Sequence, residues 1–124
     1  AIPRHAAALD GLYQLTAGAF SSDARKSRAM GEELGLAAGR VYGSYRELIE
    51  REQQLPAPER VQVISIVTPN HLHFEPARLA LENGFHVILD KPMTFSLAEA
   101  KQQLEVAEAS GCLLCLTHTY TGYP

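Results

Sequence analysis

The stretch Val61–Pro92, VQVISIVTPNHLHFEPARLALENGFHVILDKP, constrains the fold of this chain more than any other part of the sequence. It contains two apolar runs, Val61–Val67 and Phe85–Leu89, on either side of a helical segment at about Leu72–Asn83. A near-continuous apolar run is typical of a strand covered on both faces, as in a parallel sheet with helices above and below it. The pattern predicts a strand–helix–strand unit, in which ligands bind beyond the carboxyl ends of the strands.

The rest of the chain continues this alternation of helices and strands. Further helices are predicted at Ala1–Leu9, Ala24–Leu34, Tyr45–Gln53 and Leu97–Ser110, and further strands at Leu12–Phe20, Arg40–Tyr42 and Cys112–Leu116. Polar side chains suited to N-capping precede three of the helices, at Ser21–Asp23, Ser44 and Ser96. The alternation predicts an α/β fold, a doubly wound parallel sheet of the Rossmann type.

The sequence opens inside a helix, whereas a dinucleotide-binding fold opens with a strand and a glycine-rich turn. Residues 1–124 are therefore expected to form a partial Rossmann domain that lacks its first strand and its glycine-rich turn. That strand is central in the common strand order, so its absence would leave two sheet edges unpaired. We expect the 124-residue chain to be unstable when it is expressed alone.

Composition narrows the class of protein. Apolar residues make up 46% of the chain and charged residues 20%, as in globular proteins. The net charge is −3, and the lysines and arginines are scattered, which argues against a nucleic-acid surface or a polybasic membrane patch. No apolar run approaches the about 18 residues of a membrane span. We predict no nucleic-acid and no membrane partner.

The two cysteines have the spacing of a redox pair or of half a metal site, Cys112-Leu113-Leu114-Cys115. They follow Gly111 and lie in a predicted buried strand, where residues three apart point to opposite faces. There is no second cysteine pair in the sequence. We interpret them as unpaired strand residues, which suits a reducing, cytoplasmic compartment.

Four motifs follow one another in the second half of the chain. They are Thr68-Pro69 with His73, the segment Ala80–Val87, Asp90-Lys91-Pro92, and Ser96 followed by Ala107 and Gly111. In this order and spacing they resemble the cofactor-binding domain of the Gfo/Idh/MocA family, the relatives of glucose–fructose oxidoreductase and inositol dehydrogenase. The resemblance covers about residues 12–124. It implies NAD(P) as cofactor and hydride transfer between nicotinamide and a sugar, cyclitol or related polyol or keto substrate.

The chain departs from the family pattern in several places. Asp90 stands where the family usually has glutamate, and Thr117–Pro124 stands where an arginine-bearing segment is usual. The family's C-terminal α+β domain is absent from this sequence. That domain carries most substrate contacts, a catalytic histidine and usually the oligomer interface, so the resemblance implies a homo-oligomeric parent protein, a dimer or a tetramer.

The resemblance implies a catalytic role for Lys91, close to the substrate hydroxyl and the nicotinamide ribose. A lysine held between Asp90 and Pro92 at a strand end is also well placed to move a proton while hydride leaves the same carbon. Asp90 would bind the cofactor ribose or orient the lysine, and Pro92 would lock the turn through a cis or a trans bond. The alternative is an ordinary surface turn with a lysine and an acid.

Thr68, Pro69, Asn70 and His71 would line the cofactor. Asn70 could instead, or in addition, cap the helix that follows it. His71 and His73 have H-x-H spacing, but they diverge around the helix axis and no third ligand is apparent, so we predict no metal site. Contact with cofactor or substrate is expected for His71, and a packing role for His73.

Cofactor choice depends on the end of the second strand of the fold, where NAD-specific domains place an acidic residue. By the resemblance this position is Ser21, followed by Ser22 and Asp23, with Arg25 and Lys26 nearby. A hydroxyl with neighbouring cations can accept a 2′-phosphate, which favours NADP. Asp23 leaves NAD open, although its default role is that of a helix cap.

His118 and Tyr120, after the last strand, would border the nicotinamide or substrate pocket, or would simply cover the end of the sheet. The alternative to an enzyme is a non-catalytic dinucleotide-binding or regulatory protein of the same fold. A flavodoxin-like signalling module fits the Thr68-Pro69 and Asp90-Lys91-Pro92 motifs less well. Fold alone does not decide between these functions, and the motif residues carry the enzyme hypothesis.

Overall fold

The computed structural model describes residues 2–122, apart from the side chains of Ile2, Pro3, Thr119 and Tyr120. The α-helices are α1 (Ile2–Leu9), α2 (Ala24–Glu33), α3 (Tyr45–Glu52), α4 (Phe74–Glu82) and α5 (Leu97–Ser110). The strands are β1 (Val63–Ile66), β2 (His86–Asp90) and β3 (Leu114–Thr117), and short 3₁₀ turns lie at Ala38–Arg40, Asn70–Leu72 and Thr119–Gly122. The chain divides into two compact units, Ala1–Leu48 and Ile49–Pro124.

The second unit contains a parallel sheet with the strand order β1-β2-β3. Helix α4 connects β1 to β2, and α5 connects β2 to β3. The register pairs Ile66 with Leu89, and Leu89 with Leu116. The predicted strand–helix–strand unit is confirmed, and the fold is the α/β, Rossmann-type fold that the alternation predicts.

One face of this sheet forms the core of the second unit. Ile66, Val87 and Leu89 point to that face and are buried, since alternate residues of a strand share one face. Helix α4 packs on β1 and β2 and contributes Ala77 and Ala80, both fully buried. Each buried side chain of the size of valine or leucine stabilises the fold by about 1.5–3 kcal/mol.

The serine cap predicted for α5 is confirmed. The Glu99 amide donates to Ser96 Oγ (3.2 Å), and the Phe95 amide donates to a carboxylate oxygen of Glu99 (3.1 Å). The helix ends at Gly111, whose φ of 68° lies in the left-handed region that glycine adopts without a steric penalty. These contacts fix where the helix starts and stops.

None of the described helices has both the length and the apolar character needed to cross a membrane.

The first unit is organised around the buried side of α2. Ser27 is fully buried, and its Oγ accepts from the Phe20 amide (3.0 Å) and donates to the Tyr42 carbonyl (2.7 Å). One turn further on, Gly31 lets the Val41 side chain approach the helix. A Cβ at Gly31 would lie 2.3 Å from Val41 Cγ2, closer than two carbons can approach. Ser27 and Gly31 therefore let two separate segments pack directly against α2.

The strands predicted at Leu12–Phe20 and Arg40–Tyr42 are wrong as extended ladders. Within the described residues, only Gly18 and Val41 pair in a single parallel bridge, and Ala38–Arg40 forms a 3₁₀ turn. A strand needs a run of backbone hydrogen bonds to a neighbour, and the first part of the Leu12–Phe20 segment has none there. Leu12 is accordingly 79% exposed.

The prediction of buried cysteines is also wrong. Cys112 precedes β3 and is half-buried, while Cys115 lies within β3 and is exposed. The reason is that β3 forms an edge of the described sheet and is covered less than β2. Both cysteines carry free thiols, in agreement with the predicted unpaired state.

Candidate functional site

The three strands of the second unit are parallel, so their carboxyl ends meet at one edge of the sheet. We call this the carboxyl edge. Three loops leave from it, beginning at Val67 after β1, at Lys91 after β2 and at His118 after β3. The carboxyl edge therefore brings together the predicted site residues of the second unit whose side chains the structure describes.

Asp90, the last residue of β2, is held in place by one of its carboxylate oxygens. Its Oδ1 accepts a hydrogen bond from the Lys91 amide (2.9 Å) and another from the Thr117 hydroxyl (3.0 Å). Thr117 pairs with Asp90 across the parallel register of β2 and β3. The second oxygen, Oδ2, has no hydrogen-bond partner among the described residues. A half-buried carboxylate is thus fixed in position with one acceptor left open.

Lys91 combines a fixed backbone with an unengaged side chain. Its amide donates to Asp90 Oδ1, and its peptide bond to Pro92 is cis. The side chain is exposed, and the ammonium makes no hydrogen bond or ion pair within the part of the chain that the structure describes. The Lys91 backbone is therefore held in place, while its ammonium is available to a ligand.

His73 links the loop after β1 to the loop after β2. The side chain is 1% exposed, as the predicted packing role requires. Its Nε2 lies 2.7 Å from the Thr68 carbonyl oxygen, and its Nδ1 lies 2.7 Å from the Pro92 carbonyl oxygen. The ring therefore also makes polar contacts with two loops that the prediction did not include.

The loop after β1 is a 3₁₀ turn over Asn70–Leu72 with exposed side chains. The Thr68 hydroxyl donates to the Leu72 carbonyl (3.3 Å). Asn70 and His71 are exposed, and their side chains make no hydrogen bond within the described residues. Both polar groups are therefore available to a ligand.

Asn70 does not cap the helix, and this part of the prediction is wrong. Helix α4 starts at Phe74, and His73 occupies the N-cap position without a side-chain cap. The intervening 3₁₀ turn moves the helix start downstream, out of reach of the Asn70 side chain.

Four predicted cofactor residues lie together at the start of α2, in the first unit. The Asp23 carboxylate accepts from the Arg25 amide (2.9 Å) and the Lys26 amide (3.5 Å), which confirms its role as helix cap. The Ser21 Oγ accepts from the Asp23 amide (3.1 Å). Ser22 and Arg25 are exposed, and the Arg25 guanidinium has no partner among the described residues.

His118 is exposed after β3, and its carbonyl accepts from the Thr121 amide (3.1 Å) and the Thr121 hydroxyl (2.6 Å). These bonds close the 3₁₀ turn that follows. The Tyr120 side chain lies outside the described residues, so its predicted place beside the pocket stays a prediction.

Sequence reasoning missed Thr117. Its hydroxyl helps to hold Asp90, and its position was visible as the residue directly after the last predicted strand, Cys112–Leu116. What the sequence lacked was the register that sets Thr117 beside Asp90. The described residues contain no group of three histidine, cysteine, aspartate or glutamate side chains placed to hold a metal ion.

Comparison with known proteins places the chain among oxidoreductases. The model of an oxidoreductase family with an NAD-binding Rossmann fold matches residues 3–118. An oxidoreductase structure from Sinorhizobium meliloti is 47% identical, with a TM-score of 0.93 over 99% of this chain and 34% of that chain. The inositol dehydrogenase homolog from Azotobacter vinelandii, complexed with NADH and myo-inositol, is 40% identical, with a TM-score of 0.89 over 95% of this chain and 31% of that chain.

Among curated proteins, D-xylose 1-dehydrogenase (NADP(+)) 2 of Haloferax volcanii is 31% identical over 104 residues, which are 84% of this chain and 29% of the relative. The chain spans about a third of the length of these three proteins.

Proposed function

The chain belongs to the oxidoreductase family with an NAD-binding Rossmann fold, and we propose that it forms the cofactor-binding part of an NAD(P)-dependent oxidoreductase. The reaction would transfer hydride between nicotinamide and a sugar, a cyclitol or a related polyol or keto substrate. The xylose dehydrogenase and the inositol dehydrogenase homolog support this substrate class. The full-length protein would work in the cytoplasm as a homo-oligomer.

The arrangement of Asp90 and Lys91 at the carboxyl edge carries this proposal. A lysine with an open ammonium follows directly on a carboxylate that keeps one oxygen open. The half-buried Asp90 carboxylate is the informative group, because unpaired polar groups are costly where they are not fully solvated, whereas the exposed Lys91 ammonium is solvated in any turn. Here the backbone is fixed while both functional groups remain available, as a binding and catalytic site requires.

The polar groups of the described residues fit a nicotinamide dinucleotide. Ribose hydroxyls donate hydrogen bonds, and Asp90 Oδ2 is an acceptor at the carboxyl edge that could receive them. The Asn70 amide is exposed on the neighbouring loop and could contact the same group. When bound, the cofactor supplies the carbon that accepts or releases the hydride.

Lys91 would handle the proton of the reaction. A carbinol that loses hydride must also lose the proton of its hydroxyl group. The Lys91 Nζ would accept that proton as a neutral amine in the oxidation direction, and as the resulting ammonium it would return the proton in the reduction direction. The hydrogen bond from the Lys91 amide to Asp90 would keep the Lys91 backbone in place during both steps.

We propose NADP as the preferred cofactor. Asp23 already serves as the cap of α2, which leaves it less suited to hold a ribose 2′-hydroxyl. Ser21 can still donate its hydroxyl proton, and the exposed Arg25 offers a cation that has no partner among the described residues. A hydroxyl and a guanidinium together suit a 2′-phosphate.

The test uses the full-length polypeptide that contains this chain, with the variant Lys91→Met and the control Lys101→Met. Lys101 is an exposed lysine on α5, outside the three loops of the carboxyl edge. Binding of NADH and NADPH is measured by calorimetry, and turnover is measured with myo-inositol and D-xylose as first substrates. We expect Lys91→Met to bind cofactor within about threefold of wild type and to lose about 100-fold or more in kcat, the usual contribution of proton transfer.

The control should match wild type in both measurements. Binding without turnover on any polyol would favour the non-catalytic, regulatory alternative. No binding of either dinucleotide would contradict the proposed function altogether.

A further inference from the structure

We infer that His73 is a positioning residue that ties the loop after β1 to the loop after β2 and so sets the location of Lys91. Among the described residues the His73 ring makes no hydrogen bond to the Asp90 carboxylate or the Lys91 ammonium, and its link to catalysis rests on the proposed function. The imidazole is buried, and each of its ring nitrogens faces a backbone carbonyl.

The two contacts of the His73 ring, to the carbonyls of Thr68 and Pro92, form what we call the His73 bridge, and both are short. Nε2 lies 2.7 Å from the carbonyl of Thr68, five residues earlier, and Nδ1 lies 2.7 Å from the carbonyl of Pro92, 19 residues later. Both distances are at the short end of the hydrogen-bond range. With 1% of the side chain exposed, water does not replace either contact. Two segments that are distant in sequence are therefore held by one ring.

Both contacts direct a ring nitrogen at a group that can only accept. A carbonyl oxygen has no proton to give, so each hydrogen bond requires a proton on the ring nitrogen that faces it. In the neutral ring the tautomer decides which nitrogen donates, so each nitrogen can be the donor to the carbonyl that it faces. A side chain that served only to fill space would not need a donor at either position.

The contact from His73 to Pro92 affects Lys91, because Pro92 is the next residue after Lys91 in the chain. The Asp90 carboxylate holds the amide of Lys91 from one side, and His73 holds the carbonyl of the next residue from the other. Between them the two contacts fix the backbone on both sides of the lysine. The ammonium remains open, so only the side chain itself has to move to reach a substrate.

The two halves of the bridge can be separated by substitution in the full-length polypeptide. In His73→Asn the amide nitrogen lies near the place of Nδ1, so the contact to Pro92 can persist while that to Thr68 is lost. In His73→Gln the amide nitrogen lies near the place of Nε2, so the contact to Thr68 can persist while that to Pro92 is lost. His73→Phe keeps a ring of similar size and removes both contacts.

Hydrogen exchange, read by mass spectrometry, reports each loop separately. We expect faster exchange around residues 69–72 in His73→Asn, around residues 91–94 in His73→Gln, and in both segments in His73→Phe. The kcat should fall about tenfold or more in His73→Gln and His73→Phe, because small displacements of a catalytic group are costly. His73→Asn should retain kcat within about threefold, a rescue that a packing role would not produce.

His86→Phe is the matched control. The His86 Nδ1 accepts from the Leu113 amide (2.9 Å) at the opposite, amino end of β2, so this change also removes one histidine hydrogen bond from the same sheet. Exchange in the two loops and kcat should remain as in wild type.

The inference is overturned if His73→Asn and His73→Gln loosen the same loop, or if a folded His73→Phe protein leaves both loops unchanged. Failure of all three His73 variants to fold would also overturn it, since the histidine would then be a plain core residue. A wild-type protein without turnover would contradict the proposed function instead, and the exchange pattern would still test the bridge.

Discussion

At the scale of single residues, the polar groups at the carboxyl edge are of two kinds. Some are held by internal hydrogen bonds, and others are open to a ligand. Asp90 uses one carboxylate oxygen to hold its neighbours and keeps the other open. Lys91 is held through its backbone and is open at its ammonium. His73 is the opposite case, because both of its nitrogens are engaged. Both kinds are needed for binding, because a ligand contacts polar groups that are available and that stand on a backbone held in place.

Cofactor preference is tested at this scale by Arg25→Ala. If Arg25 holds a 2′-phosphate, its loss removes a charge-assisted contact of about 1.5–3 kcal/mol. The Kd for NADPH should then rise about tenfold or more, with little change for NADH. Titration of both cofactors into the full-length polypeptide by calorimetry measures the two constants. Lys101→Ala removes the same charge from α5 and should change neither; equal weakening of NADH and NADPH binding by Arg25→Ala would refute the assignment.

At the scale of elements, α2 shows how a short polar contact replaces sheet pairing. The segment that ends at Phe20 forms no ladder, and its end is held by the buried Ser27 hydroxyl. The same hydroxyl donates to Tyr42, and Gly31 allows the close approach of Val41. Two small residues on one side of a helix thus take over the task of positioning neighbouring segments.

Ser27→Ala tests this arrangement. The substitution leaves the Phe20 amide without its side-chain acceptor in a part-buried position, which costs about 1–3 kcal/mol. The free energy of unfolding of the full-length polypeptide, from urea denaturation followed by circular dichroism, should fall by that amount. Ser22→Ala, at an exposed serine nearby, should change it by no more than about 0.5 kcal/mol. A result in which both variants match wild type would mean that the Ser27 contacts add nothing to stability.

At the scale of the whole molecule, the described residues leave much apolar surface uncovered. Large apolar side chains with exposed fractions between 72% and 83% include Leu9, Leu12, Phe95, Leu97 and Leu113. Monomeric proteins rarely leave large contiguous apolar surfaces open, and such surfaces mark interaction sites or aggregation hazards. The full-length relatives are about three times as long and have further chain that could cover such surface.

We therefore expect the 124-residue chain by itself to unfold without a sharp transition. Its sheet has three strands with both edges open among the described residues, and the exposed apolar groups contribute nothing to its stability. Thermal melting followed by circular dichroism, with dye binding as a probe of apolar surface, measures this directly. A single cooperative transition above about 50 °C would show that the chain is a self-sufficient domain.

The sequence alone determined the central strand–helix–strand unit, the caps of α2 and α5, and the position of Asp90 and Lys91 at a strand end. These features depend on local signals. An apolar run, a capping side chain or a glycine acts on the few residues next to it, so its effect can be read without knowing the rest of the fold.

Only the tertiary structure decided the contacts that make the carboxyl edge a site. The bond from Thr117 to Asp90 depends on the register of two strands separated by α5, and the His73 bridge depends on how two loops meet above the sheet. The strand predicted at Leu12–Phe20 failed for the same reason, because a strand exists only with a neighbour. Pairing and register arise between residues distant in the chain, and no local pattern encodes them.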